Sequence, residues 1–162
     1  MLDQRILTEL EEFIHLHINA PLFSFNEAKS MDYSINEEVY HSEIDDFINT
    51  KRKETVSQLL FKLIDQRGVS DTEVYKKAGI DRRHFSKIRS NPSYRPGKNT
   101  MILLALALEL NLEETEDWLA VGGYSLSDSD TGDLVVQFCI NKKIYDLDFV
   151  NEALDHYDLK TL

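Results

Sequence analysis

Val56, Leu59, Leu60, Leu63 and Ile64 recur at i, i+3, i+4, i+7 and i+8. That spacing belongs to an α-helix that buries one face, and it commits this part of the chain to helical packing. Leu2, Ile6, Leu10, Phe13 and Ile14 repeat the pattern and predict an amphipathic helix over residues 2–17. Asn19-Ala20-Pro21 ends it, because proline has no N–H to donate and biases its predecessor away from helix. Residues 20–34 have no clean period and read as a linker. Asn36 can cap a second helix with Val39, Tyr40, Glu43 and Phe47 as a thin apolar stripe, running to about Lys53. With only 6 Gly and 3 Pro, the chain lacks the turns of an all-β fold.

Start and stop signals then come in quick succession. Gly68 ends the helix that begins near residue 54. Ser70, with Glu73 three residues on, forms a capping box for a helix over 71–78 that ends at Gly79. Asp81 caps a third helix, 82–90. Asn91-Pro92 to Pro96-Gly97 is a loop, and Asn99 or Thr100 opens an apolar helix through Leu110. Leu112 to Val121 is another, broken at Gly122-Gly123. After the polar turn 125–132 come amphipathic stretches at 133–142 and about 146–157, the second carrying Phe149, Val150, Ala153, Leu154 and Tyr157. The expected fold is all-α. Residues 1–53 read as an acidic helical extension with a linker, and 54–160 as a helical domain completed by C-terminal helices.

Charge divides the chain into three. The formal net charge is −11, yet residues 51–98 carry 13 basic and 5 acidic side chains between two strongly acidic flanks. An acidic chain is unlike most nucleic-acid binders, but a basic island within it is informative. If Phe85 and Ile88 point inward, Arg82, Arg83 and Lys87 share the outer face of their helix, with His84 nearby. Arg89, Ser93, Tyr94, Arg95 and Lys98 fall in or near the loop that follows.

The string GVSDTEVYKKAGIDRRHFSKIRSN, followed by NPSYRPGKNTMILLALALEL, resembles the phage-repressor-like helix-turn-helix family, also called the xenobiotic-response-element type. The resemblance implies that Gly79 is the turn glycine and that Ile80, Phe85 and Ile88 are buried. It places Leu103, Ala105, Leu106 and Leu110 on a packing helix behind them. It implies a double-stranded DNA partner, with Arg82, Arg83, Lys87 and His84 at base edges and Arg89, Ser93, Tyr94, Arg95 and Lys98 at phosphates. Arginine bonds guanine bidentately, which suits a G-containing site. Two positions depart from the family. Tyr75 stands where a small residue is usual and implies altered helix packing; Asp71 stands where a polar donor is usual and would repel a phosphate. Residues 55–160 also resemble a bacterial module found behind macro and other sensor domains, which implies that the C-terminal helices close one unit with the helix-turn-helix.

Other motifs are weak. His15 and His17 lie about 200° apart on a helix, so they cannot chelate one metal. Asp128-Ser-Asp130-Thr-Gly132-Asp133 looks like the start of a calcium loop, but Cys139 stands where the bidentate glutamate belongs, and helix capping explains it better. Cys139 lies between Phe138 and Ile140 and reads as a small core residue. Trp118 reads as core. No phosphate loop or nucleophilic triad is present, so no enzyme activity, cofactor or metal is expected. The longest apolar run, Met101 to Leu108, is 8 residues, too short for a membrane span. The N-terminus lacks a signal-peptide pattern, and a single cysteine suits a cytoplasmic protein. The expected function is a sequence-specific duplex DNA-binding regulator from a bacterium or phage. Its partner copy is a homodimer mate held through the 2–17 helix. The alternative is a protein-interaction adaptor or antagonist, for example in phage defence or counter-defence, that docks through its acidic helices.

Overall fold

The structure is a computed structural model that describes residues 4–18 and 37–162, with side chains at 4–18 and 40–162. Leu2, the linker at 20–34, the Asn36 cap and the side chain of Val39 lie outside the described residues. Among the described residues all regular structure is helical: α1 (Gln4–Ile18), α2 (Glu37–Lys51), α3 (Val56–Arg67), α4 (Asp71–Lys77), α5 (Arg82–Ser90), α6 (Lys98–Ala107), α7 (Leu112–Val121), α8 (Thr131–Asn141) and α9 (Leu147–His156). None of these helices is long and apolar enough to cross a membrane.

Side-chain caps set six of the helix starts. Thr55 and Gln58 form a reciprocal box on α3, Ser70 and Glu73 on α4, and Asn111 and Glu114 on α7. Each satisfies two N–H groups that a helix start leaves open. Asp81 accepts from Arg83 and His84 N–H at the start of α5, and Asp130 and Asp146 cap α8 and α9. Gly68 ends α3 with φ 63°, a conformation glycine reaches without steric cost.

The largest departure from expectation is in α6. α6 starts at Lys98 and ends at Ala107, rather than running from Asn99 or Thr100 to Leu110. Glu109 takes φ 52°, and Leu110 N–H turns back to Ala105 O. Leu108 and Leu110 are buried all the same. The apolar run outlasts the helix because the turn after it is also packed inside.

The division near residue 53 falls at Glu54–Thr55, but the N-terminal helix lies on the other side of it. α1 belongs with Thr55–Leu162 in one compact unit, and Pro21–Glu54 forms a second. In the first unit α8 is buried nearly all round: every residue from Asp133 to Ile140 is inside. α1, α7 and α9 pack against it. Leu10 and Ile14 of α1 are buried, and the Phe13 ring sits 5.7 Å from that of Phe138. Glu9 pairs with Lys142, and Glu11 lies 3.1 Å from His156. The apolar stripe expected to join two copies is therefore occupied within the chain. Trp118 is fully buried and donates its indole N–H to Met101 O at 2.8 Å, tying α7 to α6.

The second unit contains α2, which ends at Lys51 rather than about Lys53. Ile44, Phe47 and Ile48 on it are exposed, Phe47 to 64%. Lys51 Nζ lies 6.0 Å from the Phe47 ring centre.

Leu10→Ala should lower the stability of the first unit by about 2–5 kcal/mol, the usual cost of emptying a buried leucine site. Leu16→Ala on the same helix, at a position 70% exposed, should change it by less than about 0.5 kcal/mol. Urea melts of the full chain check both, and equal effects would contradict the packing of α1 on α8.

Candidate nucleic-acid interface

α4 is short, and four residues separate its end from the start of α5. The turn is made by Gly79 at φ 65°, with Gly79 N–H donating to Lys76 O and Ile80 N–H to Tyr75 O. Val74, Ala78 and Ile80 are buried beneath it. Phe85 and Ile88 anchor α5 in the core. At 100° per residue the opposite arc runs Arg82, Ser86, Ser90, Arg83, Lys87, and all of these are exposed. Ser86 and Ser90 were not singled out from the sequence, although they follow Arg82 at i+4 and i+8.

The two arginines stand in the first turn of α5, where the helix dipole is positive and a cation is disfavoured by about 0.3–1 kcal/mol. Asp81 offsets this by capping the N–H groups of Arg83 and His84 at 2.8 and 3.4 Å. Among the described residues no carboxylate forms an ion pair with Arg82, Arg83 or Lys87.

The edges of that face are held. On the α4 side, Arg89 lies 3.4 Å from the Asp71 carboxylate and stacks 4.4 Å above the ring of Phe61, which is 54% exposed. Its backbone carbonyl accepts from Ser57 Oγ. Asp71, Thr72, Tyr75, Arg82, Ser86 and Arg89 line an open cleft of about 420 Å³ between α4 and α5. Tyr75 is half-buried with its ring 5.7 Å from that of Phe85, which is how the helix pair accommodates the bulky side chain. On the loop side, His84 is half-buried with Nε2 3.2 Å from Tyr94 Oη, and Lys87 Nζ sits 4.3 Å over the Tyr94 ring.

The five residues expected at phosphates separate into two groups. Ser93 and Arg95 are exposed on the loop and Tyr94 is half-exposed. Ser93 N–H and Oγ both donate to Asn91 Oδ1. Arg95 lies 4.8 Å from the Tyr124 ring and donates to Gly123 O at 3.4 Å. Arg89 and Lys98 form the second group, each with a carboxylate partner. Arg89 is on α5 and turned to Asp71. Lys98 opens α6 and pairs at 2.6 Å with Asp133, a nearly buried carboxylate that also accepts from Ser127 N–H. A buried carboxylate needs that cation more than the surface does.

The remaining candidates have structural employment. Asp130 caps α8 and Asp128 accepts from Gln137 at 3.0 Å. His17 lies 2.8 Å from Phe13 O and against the Phe13 ring. Among the described residues no group of three or more His, Cys, Asp or Glu is arranged to hold a metal. The Ser70 N–H, and then its hydroxyl, hold the Glu73 carboxyl below its usual pKa. The α4 cap therefore contributes above the ordinary glutamate value and is lost as pH falls through the lowered one. Comparison of the chain with protein-family models, with curated proteins and with solved structures finds no match.

Cys139 is fully buried, and burial pushes its thiol up to about 12. At pH 8 the reactive thiolate is then about 10⁻⁴ of the total. A water-soluble disulfide reagent should leave the native chain unmodified at pH 8 and react in full once denaturant is added. Rapid native labelling would contradict the placement of Cys139.

Proposed function

We propose that the chain is a non-enzymatic, cytoplasmic regulator of bacterial or phage transcription that binds duplex DNA through α4 and α5 in a repressor-like helix-turn-helix. The observation that carries this reading is the outer face of α5. Arg82, Arg83 and Lys87 are exposed there, without carboxylate partners among the described residues. Two of them sit where they weaken their own helix. A local choice that costs stability and serves no packing is the usual mark of a functional surface. α5 enters the major groove, where Arg82 and Arg83 near its N-terminus meet base edges. Ser93 and Arg95 approach phosphates from the loop. The acidic surfaces elsewhere repel the backbone, so only this face docks.

One helix reads only a few base pairs, so two copies across a two-fold axis are part of the proposal. With the α1 stripe buried, the contact surface is not the one expected from the sequence. An adaptor that docks onto a protein is the second reading. The exposed Ile44, Phe47 and Ile48 of the acidic helix α2 favour it. Affinity capture read out for both DNA and protein separates the two. Duplex DNA with a reproducible sequence supports regulation, and one stoichiometric protein without DNA supports the adaptor.

On the preferred duplex, Arg83→Ala should cost about 1–3 kcal/mol and relax the sequence preference. Arg95→Ala should weaken preferred and random duplexes alike. The logarithm of affinity should fall linearly with the logarithm of salt concentration, and sedimentation of the complex should count two copies per site. Losses that are equal for both variants on both duplexes would break the division of labour between groove and backbone.

Asp71→Asn offers a gain rather than a loss. It removes a negative charge from the docking face and releases Arg89. Titrations of preferred and random duplex should both tighten, and weaker binding to either would show that the Asp71–Arg89 pair supports docking instead.

A further inference from the structure

The loop-side edge of α5 is organised around one aromatic ring. Tyr94 touches two side chains of α5 three residues apart. Lys87 Nζ is 4.3 Å from its ring centre, and its hydroxyl is 3.2 Å from His84 Nε2. The His84 and Tyr94 rings meet edge-on with centres 6.1 Å apart.

The ring is itself held in place. Tyr94 N–H donates to Asn91 O at 3.1 Å, and the Asn91 side chain gathers Ser93. Two residues on, Pro96 is buried and its carbonyl accepts from Tyr124 Oη at 2.9 Å. Between them Arg95 lies over the Tyr124 ring, against Gly123. Tied through Asn91 before it and Pro96 after it, both independent of the exposed Arg95 side chain, the Tyr94 ring is a wall beside Lys87.

We propose that Tyr94 is a positioning residue for DNA recognition, holding Lys87 at one place on the edge of the reading face so that base choice beneath Lys87 depends on the ring. This rests on the DNA-binding reading of α5. It also replaces the phosphate role expected of Tyr94, whose hydroxyl faces His84 and whose ring lies under Lys87. A free lysine has many rotamers and loses that freedom when it docks on a base. The ring face attracts the ammonium electrostatically and narrows the choice beforehand. It does so without neutralising the charge, as a carboxylate would. Arg83, at the centre of the face, has no such wall. The two sides of α5 are thus held by different chemistry: a carboxylate takes Arg89 away from the groove, and an aromatic ring keeps Lys87 beside it.

The test uses the full chain and four variants. Wild-type protein selects a preferred duplex from a random library, and anisotropy titrations compare it with a scrambled duplex of equal length. Proton–carbon NMR follows the Lys87 ε-methylene, which the ring current shifts upfield. Tyr94→Phe should keep the shift and the sequence preference. Tyr94→Leu should lose the shift, bind the preferred duplex about three- to fivefold more weakly and bind the scrambled one unchanged. Lys87→Ala, at an exposed position that leaves the core intact, should relax the same base pairs. The double variant should lose no more than Lys87→Ala alone. Additive losses would overturn the proposal. So would Tyr94→Phe behaving as Tyr94→Leu, or Tyr94→Leu keeping the wild-type preference with the shift gone. In each of those cases wild type still selects a sequence, and the DNA reading stands. If wild type enriches no duplex at all, the DNA reading fails and the role of Tyr94 falls with it.

Discussion

α8 has almost no face turned to water, and the unit formed by α1 and residues 55–162 is arranged around that fact. A helix whose residues from Asp133 to Ile140 are all buried must be covered on every side. α7 and α9 cover part of it, and α1 closes the remainder with Leu10, Phe13 and Ile14. The buried polar groups on α8 then need partners in turn. Asp133 takes Lys98, Gln137 takes Asp128, and the first turn is capped by Asp130. Lys98 is thereby drawn inward from the start of α6, at the foot of the basic loop. One packing requirement therefore decides where the N-terminal helix goes and which loop-proximal cation is left for solvent.

The basic face of α5 is built by the opposite logic. Phe85 and Ile88 fix the helix from within, and among the described residues no carboxylate pairs with Arg82, Arg83 or Lys87 on its outer arc. Arg89 is turned aside by Asp71, while Lys87 rests on an aromatic ring that leaves its charge intact. Arg82 and Arg83 sit against the helix dipole, a local conflict relieved only in part by Asp81. A duplex phosphate backbone would relieve the rest. On the proposed DNA-binding reading, the net charge of −11 belongs to the surfaces turned away from the duplex and orients docking rather than opposing it.

Local chemistry made much of this legible. The Ser70–Glu73 box, the Asp81 cap and the left-handed Gly68 and Gly79 act within a few residues, and each appears where the sequence puts it. The inward Phe85 and Ile88 and the outward Arg82, Arg83 and Lys87 follow from helical spacing alone. The ion pairs of Arg89 and Lys98 were not legible, because their partners, Asp71 and Asp133, are 18 and 35 residues away in the chain. Spacing carries no information at that range. Ser86 and Ser90 were within reach, since the same 100° step that places Arg82 also places them.

Taken by itself, the sequence determined which segments are helices, most of their ends, and which face of α5 carries charge. Those properties depend on backbone hydrogen bonds, caps and side-chain periodicity within a turn or two. Tertiary structure alone decided that α1 joins the 55–162 unit, that the end of the apolar run at Leu110 is a buried turn, and that Tyr94 lies beneath Lys87. Each of these is a choice among partners distant in sequence. Such choices are made by whichever arrangement buries the most apolar surface while satisfying the polar groups enclosed with it.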